Sequence, residues 1–196
     1  SLGYFINPLV SVFLGLLFLG ERLRSTQWIA LAIALTGVLI PLVFLGKIPL
    51  ISLALALSFG FYGLIRKRMN LPSVSGLTIE TLLALPFALG YLAYRHQMGN
   101  LAFSNGSFNL DLLLMLGGAI TAMPLLFFAS AVVRLSLTAV GIFQYLAPSL
   151  ALMLAIFFFD EPFSMVQLIS FVFVWISIVI FTAEAFHHHR APPPAH

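Results

Sequence analysis

Cysteine is absent from this chain and charge is scarce, and those two shortages narrow what it can be more than any motif does. With no cysteine, disulfides, thiolate metal sites, iron–sulfur clusters and cysteine nucleophiles are all excluded. Charged residues make up 8% of the sequence, against about a quarter in an average soluble domain. Hydrophobic residues reach 61% and the mean hydropathy is +1.10. No soluble fold hides that much apolar surface behind so few polar side chains. The composition therefore reads as an integral membrane protein with the lipid bilayer as its partner. A net charge of +3, scattered along the chain, gives nucleic acid no basic face to bind. Nothing implies a cofactor or a resident metal. The apolar helix that opens at Ser1 has no charged leader and no cleavage motif, so it does not read as a signal peptide.

A helix needs about 20 apolar residues to cross the hydrocarbon core. Seven stretches qualify, at roughly 2–20, 25–45, 48–65, 74–94, 110–133, 138–159 and 164–186. Backbone groups in lipid must be satisfied within their own segment, so each is predicted to be a helix. The breaks between them carry nearly all the charge. Arg22, Arg24, Arg66, Lys67, Arg68, Arg134 and Arg190 fall on one side, and only Lys47 and Arg95 on the other. Cationic loops stay in the cytoplasm, so this asymmetry predicts a cytoplasmic C-terminus in a plasma membrane. The polar run from Arg95 to Asn109 is then outside, where Asn105-Gly106-Ser107 matches a glycosylation acceptor pattern that arises often by chance. The tail, 187–196, is expected to be a disordered His/Pro segment, with His187, His188 and His189 solvated rather than metal-binding.

The chain also repeats itself. At a constant offset of 140, Pro8 falls on Pro148, Glu21 on Glu161, Gln27 on Gln167 and Ile40 on Ile180. Apolar coincidences mean little in such a sequence, but proline, glutamate and glutamine are scarce in it. Both copies read as an apolar helix, a short acidic turn and a second apolar helix. An odd number of crossings separates them, so they run in opposite senses through the membrane. That is the pattern of an inverted-repeat transporter. On this reading residues 1–45 are the last two helices of a first repeat and 46–186 are a complete second repeat of five. Three helices of a ten-helix, five-plus-five bundle are then expected before Ser1.

The strings GYFINP (Gly3–Pro8), FLGERL (Phe18–Leu23), YGLIRK (Tyr62–Lys67), GIFQYLAP (Gly141–Pro148) and FFFDEP (Phe157–Pro162) resemble RarD-type permeases. These belong to the EamA branch of the drug/metabolite transporter superfamily. The likeness covers essentially residues 1–186. It implies ten helices in two inverted repeats, cytoplasmic termini and transport through a central cavity. RarD-type proteins are linked by name to chloramphenicol, and the resemblance does not fix a substrate.

Several residues are candidates for that function. Glu80 is the one acid well inside a predicted span, about 9 Å from its start at 1.5 Å per residue. An ionisable group there can carry a proton or meet substrate; equally, it can pair with Arg66, Lys67 or Arg68. Tyr4, Asn7 and Pro8 on the first helix answer Gln144, Tyr145 and Pro148 on the sixth. Proline frees backbone carbonyls, and amides and phenols beside it offer hydrogen bonds, as substrate sites at repeat interfaces require. These six are the substrate-cavity candidates. Glu21 and Glu161 are expected to cap turns or pair with neighbouring arginines. Gly117, Gly118 and Ala119 are expected to let another helix approach closely.

The function these features favour is secondary transport of a small metabolite or drug by alternating access, with proton coupling as an option. The alternative is a membrane scaffold or assembly protein without transport activity. An intramembrane enzyme needs a convergent catalytic pair, which the spans lack. A retinal-type receptor needs a buried lysine, and Lys47 and Lys67 only flank helices.

Overall fold

The computed structural model describes residues 3–46, 49–99, 103, 107–159 and 164–190. The described residues form helices α1 (Gly3–Leu19), α2 (Ser25–Leu45), α3 (Leu50–Met69), α4 (Ser73–Gln97), α5 (Phe108–Arg134), α6 (Leu137–Phe143), α7 (Leu146–Phe159) and α8 (Met165–Arg190). The protein is an all-α, polytopic bundle. Six spans are long and apolar enough to cross a membrane, with α6 and α7 counting as one from Leu137 to Phe159; α1 is a shorter apolar helix. The predicted boundaries hold to within a few residues. One differs at the end: α8 runs on to Arg190, so 187–190 are helical rather than disordered. Glu161, Asn105 and Gly106 of the glycosylation pattern, and residues 191–196 lie outside the described residues.

Two compact units emerge, Ser1–Ile65 with Leu135–His196, and Arg66–Arg134. In the first, α2 packs along α8 and α1 along α6. The α2–α8 contact is built on small residues. Ala30, Ala34 and Val38 face Val174, Ser170 and Ser177, all buried. A Cβ on Gly37 would lie 2.9 Å from both Phe173 Cβ and the Ser170 carbonyl oxygen, so only glycine permits the approach. Ser170 Oγ donates to the Gly37 carbonyl at 2.5 Å and Ser177 Oγ to the Ala30 carbonyl at 2.7 Å. Residues 30 and 37 are the offset-140 counterparts of 170 and 177. The two bonds thus exchange under the offset of 140 in the sequence.

The repeated glutamines have a local task. Gln27 Oε1 accepts from the Arg24 amide, and Gln167 Oε1 from the Ser164 amide, both at 3.1 Å. Each glutamine sits at the third position of its helix and reaches back to the residue before it, satisfying a donor the helix leaves open. Gly20 turns the chain after α1 with φ +63°, a left-handed conformation that glycine adopts without strain.

In the second unit, the start of α4 meets the end of α5. Ser130 Oγ donates to Ser73 Oγ at 2.8 Å, and Lys67 Nζ to the Val132 carbonyl at 3.1 Å. Elsewhere both helices present exposed leucine, phenylalanine and methionine, the surface that suits a hydrocarbon environment. Gly117 and Gly118 border open space, with nothing within 4 Å of a Cβ placed on either. The expected close helix contact at those glycines is not made by the described residues.

A polar seam between two helices

The site begins with two prolines. Pro8 has no amide proton for the carbonyl four residues back, which opens the hydrogen-bond ladder of α1 at the depth of Tyr4 and Phe5. The side chain of Tyr4 is outside what the structure describes. Pro148 does the same to the Gln144 carbonyl, and here the helix breaks. α6 ends at Phe143, Gln144 and Tyr145 form a turn, and α7 restarts at Leu146. The Gln144 carbonyl is taken instead by Ala147 N–H at 3.2 Å, a tighter turn of the 3₁₀ kind. Breaking the helix rotates Gln144 toward α1.

There Asn7 Nδ2 donates to Gln144 Oε1 at 2.9 Å. The bond uses half of each amide. Asn7 Oδ1 and Gln144 Nε2 are buried and have no hydrogen-bond partner, as do Ser11 Oγ and Thr138 Oγ1. Asn7 and Ser11 lie one turn apart on α1, while Thr138 and Gln144 bracket α6. Four unpartnered polar atoms therefore lie along one helix–helix seam, where Gly141 permits contact: its Cβ would stand 2.8 Å from the Pro8 carbonyl and 3.2 Å from Ser11 Cβ. A buried polar atom without a partner costs about 1–3 kcal/mol, so the seam is an expensive way merely to join two helices.

The other three candidates pack beside the seam. Tyr145 is fully buried, and its phenol donates to the Phe5 carbonyl at 3.2 Å, beside the gap made by Pro8. Ser149 Oγ donates to the Tyr145 carbonyl at 2.8 Å and accepts from Trp175 Nε1 at 2.9 Å. That chain of bonds ties α7 to α8. Pro8 and Pro148 are buried beside it. Glu80 lies elsewhere, in the second unit, 3.5 Å from Arg66 Nη1. An ion pair with Arg66 is one of the two roles open to it in the sequence.

Sequence reasoning passed over several residues that the structure makes prominent. Ser11 and Thr138 carried a usable signal, as hydroxyls one turn from Asn7 and from Gly141. Ser170 and Ser177 are seven apart and fall on Ala30 and Gly37 in the repeat, which also could have marked them. Glu184 gave none. It is buried near the end of α8 and accepts from Arg24 Nη1 at 2.7 Å and Gln27 Nε2 at 2.8 Å, partners about 160 residues away. Glu21 was expected at a turn near Arg22 or Arg24. Its carboxylate instead accepts from the amides of Leu137 and Thr138, at 2.6 and 2.8 Å, while Arg24 is engaged by Glu184. A cleft of about 570 Å³ opens on another face of α1, toward α2 and the start of α3. Ile6, Phe13, Leu39 and Leu53 are among its lining residues, and the side chains around it are all apolar.

Residues 47–183 match the EamA-like transporter family. An uncharacterized transporter of Vibrio cholerae is 46% identical over 94% of this chain and 61% of its own length. The uncharacterized transporter YojE of Bacillus subtilis is 47% identical over 97% of this chain and 63% of its own. Protein RarD of Escherichia coli is 42% identical over 97% and 64%. The chain thus spans somewhat less than two thirds of the length of these curated relatives. A family match over well over half of the chain, joined to a bundle of apolar spans, makes this a multi-pass membrane protein that belongs to the EamA-like transporter family, on the RarD side of it.

Proposed function

We propose that the protein is a secondary transporter, moving a small uncharged or zwitterionic solute by alternating access, and that the α1–α6 seam lies on the solute's path. The observation that carries this reading is the set of four buried, unpartnered polar atoms at Asn7, Ser11, Thr138 and Gln144. Groups that cost stability when unsatisfied find partners in a state where solute or water enters between the helices. Two of the four are the amides expected from the sequence. Tyr145, Pro8 and Pro148 then act as the frame that fixes where the helices break.

The repeat organisation supports the same reading. Residues 1–45 serve as the end of one repeat and 46–186 as the second, and the reciprocal Ser170–Gly37 and Ser177–Ala30 bonds are what a pseudo-two-fold between repeats produces. Alternating access is the exchange of two such repeats about their axis. The excess of Lys and Arg in the breaks after the first, third and fifth spans, and in the tail, supports a cytoplasmic C-terminus.

The test is flux through the full-length protein in liposomes, with amino acids and chloramphenicol among the solutes and with or without a proton gradient. Saturable flux of at least one solute above empty liposomes supports the reading. No flux of any solute under either condition, with the protein folded in the bilayer, returns the chain to a scaffold role.

A further inference from the structure

We propose that Glu21 is a latch on the α1–α6 seam, and that the charge of its carboxylate is what keeps the seam closed. The inference rests on the transport reading for its meaning, though not for its test. Glu21 follows the left-handed Gly20, and its amide donates to the Gly15 carbonyl at 3.2 Å. The chain thereby folds back over the last turn of α1. Gly15 has no side chain to obstruct it: a Cβ there would stand 2.7 Å from Glu21 Oε2 and 3.2 Å from Thr138 Oγ1. The carboxylate lies in that gap and spans to α6, where Oε1 accepts from Leu137 N–H and Oε2 from Thr138 N–H. Ser136 Oγ accepts from Ala139 N–H at 3.1 Å. The first three amides of α6, which no intrahelical carbonyl can reach, are all taken, two of them by a residue of the turn after α1.

The next hydrogen bond between the helices is Asn7–Gln144, six residues further along α6 and about 9 Å away by helical rise. Between the two lie Ser11, Gly141 and Thr138. The seam is thus fastened at both ends, and its closed middle contains the unpartnered atoms. Only the fastening at Glu21 is charged.

Its charge is met by amides rather than by a cation. Among the described residues no basic side chain forms a salt bridge with Glu21. α1 offers no acid or base beyond Tyr4, and α6 contributes hydroxyls only. In the turn, Arg22 is exposed and Arg24 is engaged by Glu184; Arg134 precedes Ser136 by two residues in the chain. A carboxylate accepts both N–H bonds as an anion. A glutamine amide in its place turns a donor toward one of the two N–H groups, and that bond is lost together with the attraction of the charge.

The absence of cysteine supplies the assay. Ser11 is buried, so Ser11→Cys reports on opening through its rate of reaction with N-ethylmaleimide in the full-length protein in liposomes. Ser25→Cys, at an exposed position, gives the rate of an open thiol. The ratio of the two rates is expected to rise at least about tenfold in Glu21→Gln at neutral pH, the change one charge-assisted hydrogen bond supports. In Glu21→Asp, which keeps the charge, it is expected to stay within about threefold of the parent's. A folded Glu21→Gln protein whose seam stays as protected as the parent's overturns the proposal. So does a tenfold rise in Glu21→Asp, a result that holds even should Glu21→Gln fail to fold. No substrate is needed, so the latch can fail while the transport reading stands.

Discussion

Gly76→Ala and Gly90→Ala make the same change in the same helix, and the structure assigns them opposite outcomes. A Cβ on Gly76 would overlap the guanidinium of Arg66, whereas one on Gly90 meets nothing within 4 Å. Arg66 is 2% exposed. It donates through Nη2 to the Ser73 carbonyl at 3.1 Å, and its Nη1 lies 3.5 Å from Glu80 Oε1. The guanidinium is seated on the bare face of α4 that Gly76 provides. Alanine at 76 must displace it, so the cost combines overpacking, about 1–3 kcal/mol, with a charged hydrogen bond of about 1.5–3 kcal/mol. A net loss of about 3 kcal/mol lowers the melting temperature of a chain this size by roughly 6–12 °C. At position 90 alanine adds only helix propensity, a gain of up to about 1 kcal/mol. Thermal unfolding in detergent, followed by size-exclusion chromatography of the heated protein, measures both. Equal shifts for the two variants would refute the packing argument, and a stabilised Gly76→Ala would refute the placement of Arg66.

Further expectations follow from the same contacts. Glu80→Gln leaves the buried Arg66 without its carboxylate, so it lowers thermal stability, by about 1–3 kcal/mol, while solute flux and its response to a proton gradient persist; flux lost in a protein of unchanged stability would restore Glu80 as the proton carrier. Ser170→Ala and Ser177→Ala each remove one bond of a reciprocal pair, and each is expected to cost about 0.6 kcal/mol, the usual worth of an interhelical bond in lipid. Gly37→Ala at the same contact costs more, about 1–3 kcal/mol, and an equal cost for all three in unfolding assays would argue against the close α2–α8 approach.

Much of this was legible in the sequence, and the reason differs by feature. Spans were readable because a bilayer leaves the chain few choices: about 20 apolar residues between charges must form a helix. Scarce residues recur at one offset in the sequence, and the structure gives the glutamines among them a physical task as matching caps of α2 and α8. Asn7 and Gln144 stood out as amides that no apolar face requires. Glu184 and the latch at Glu21 did not, because their partners are far away in sequence and backbone amides leave no trace in residue identity. The α6–α7 break was half visible. Pro148 announced an interruption, but a proline can kink a helix or end it, and the choice fell to packing around Tyr145. Tyr145 itself was chosen for its hydrogen-bonding group, and burial spent that group on the Phe5 carbonyl.

The most direct test of the seam as a solute path separates function from stability. Asn7→Leu with Gln144→Leu, in the full-length protein, replaces two half-satisfied amides by apolar side chains of similar size. A seam that existed only to hold α1 on α6 would lose little and keep any flux. On the present account the double variant folds with thermal stability equal to or above the parent's, since buried unsatisfied atoms are removed, and its flux falls at least about tenfold, as loss of one good polar contact to solute predicts. Undiminished flux in that stable variant would contradict the account and move the solute path away from α1 and α6.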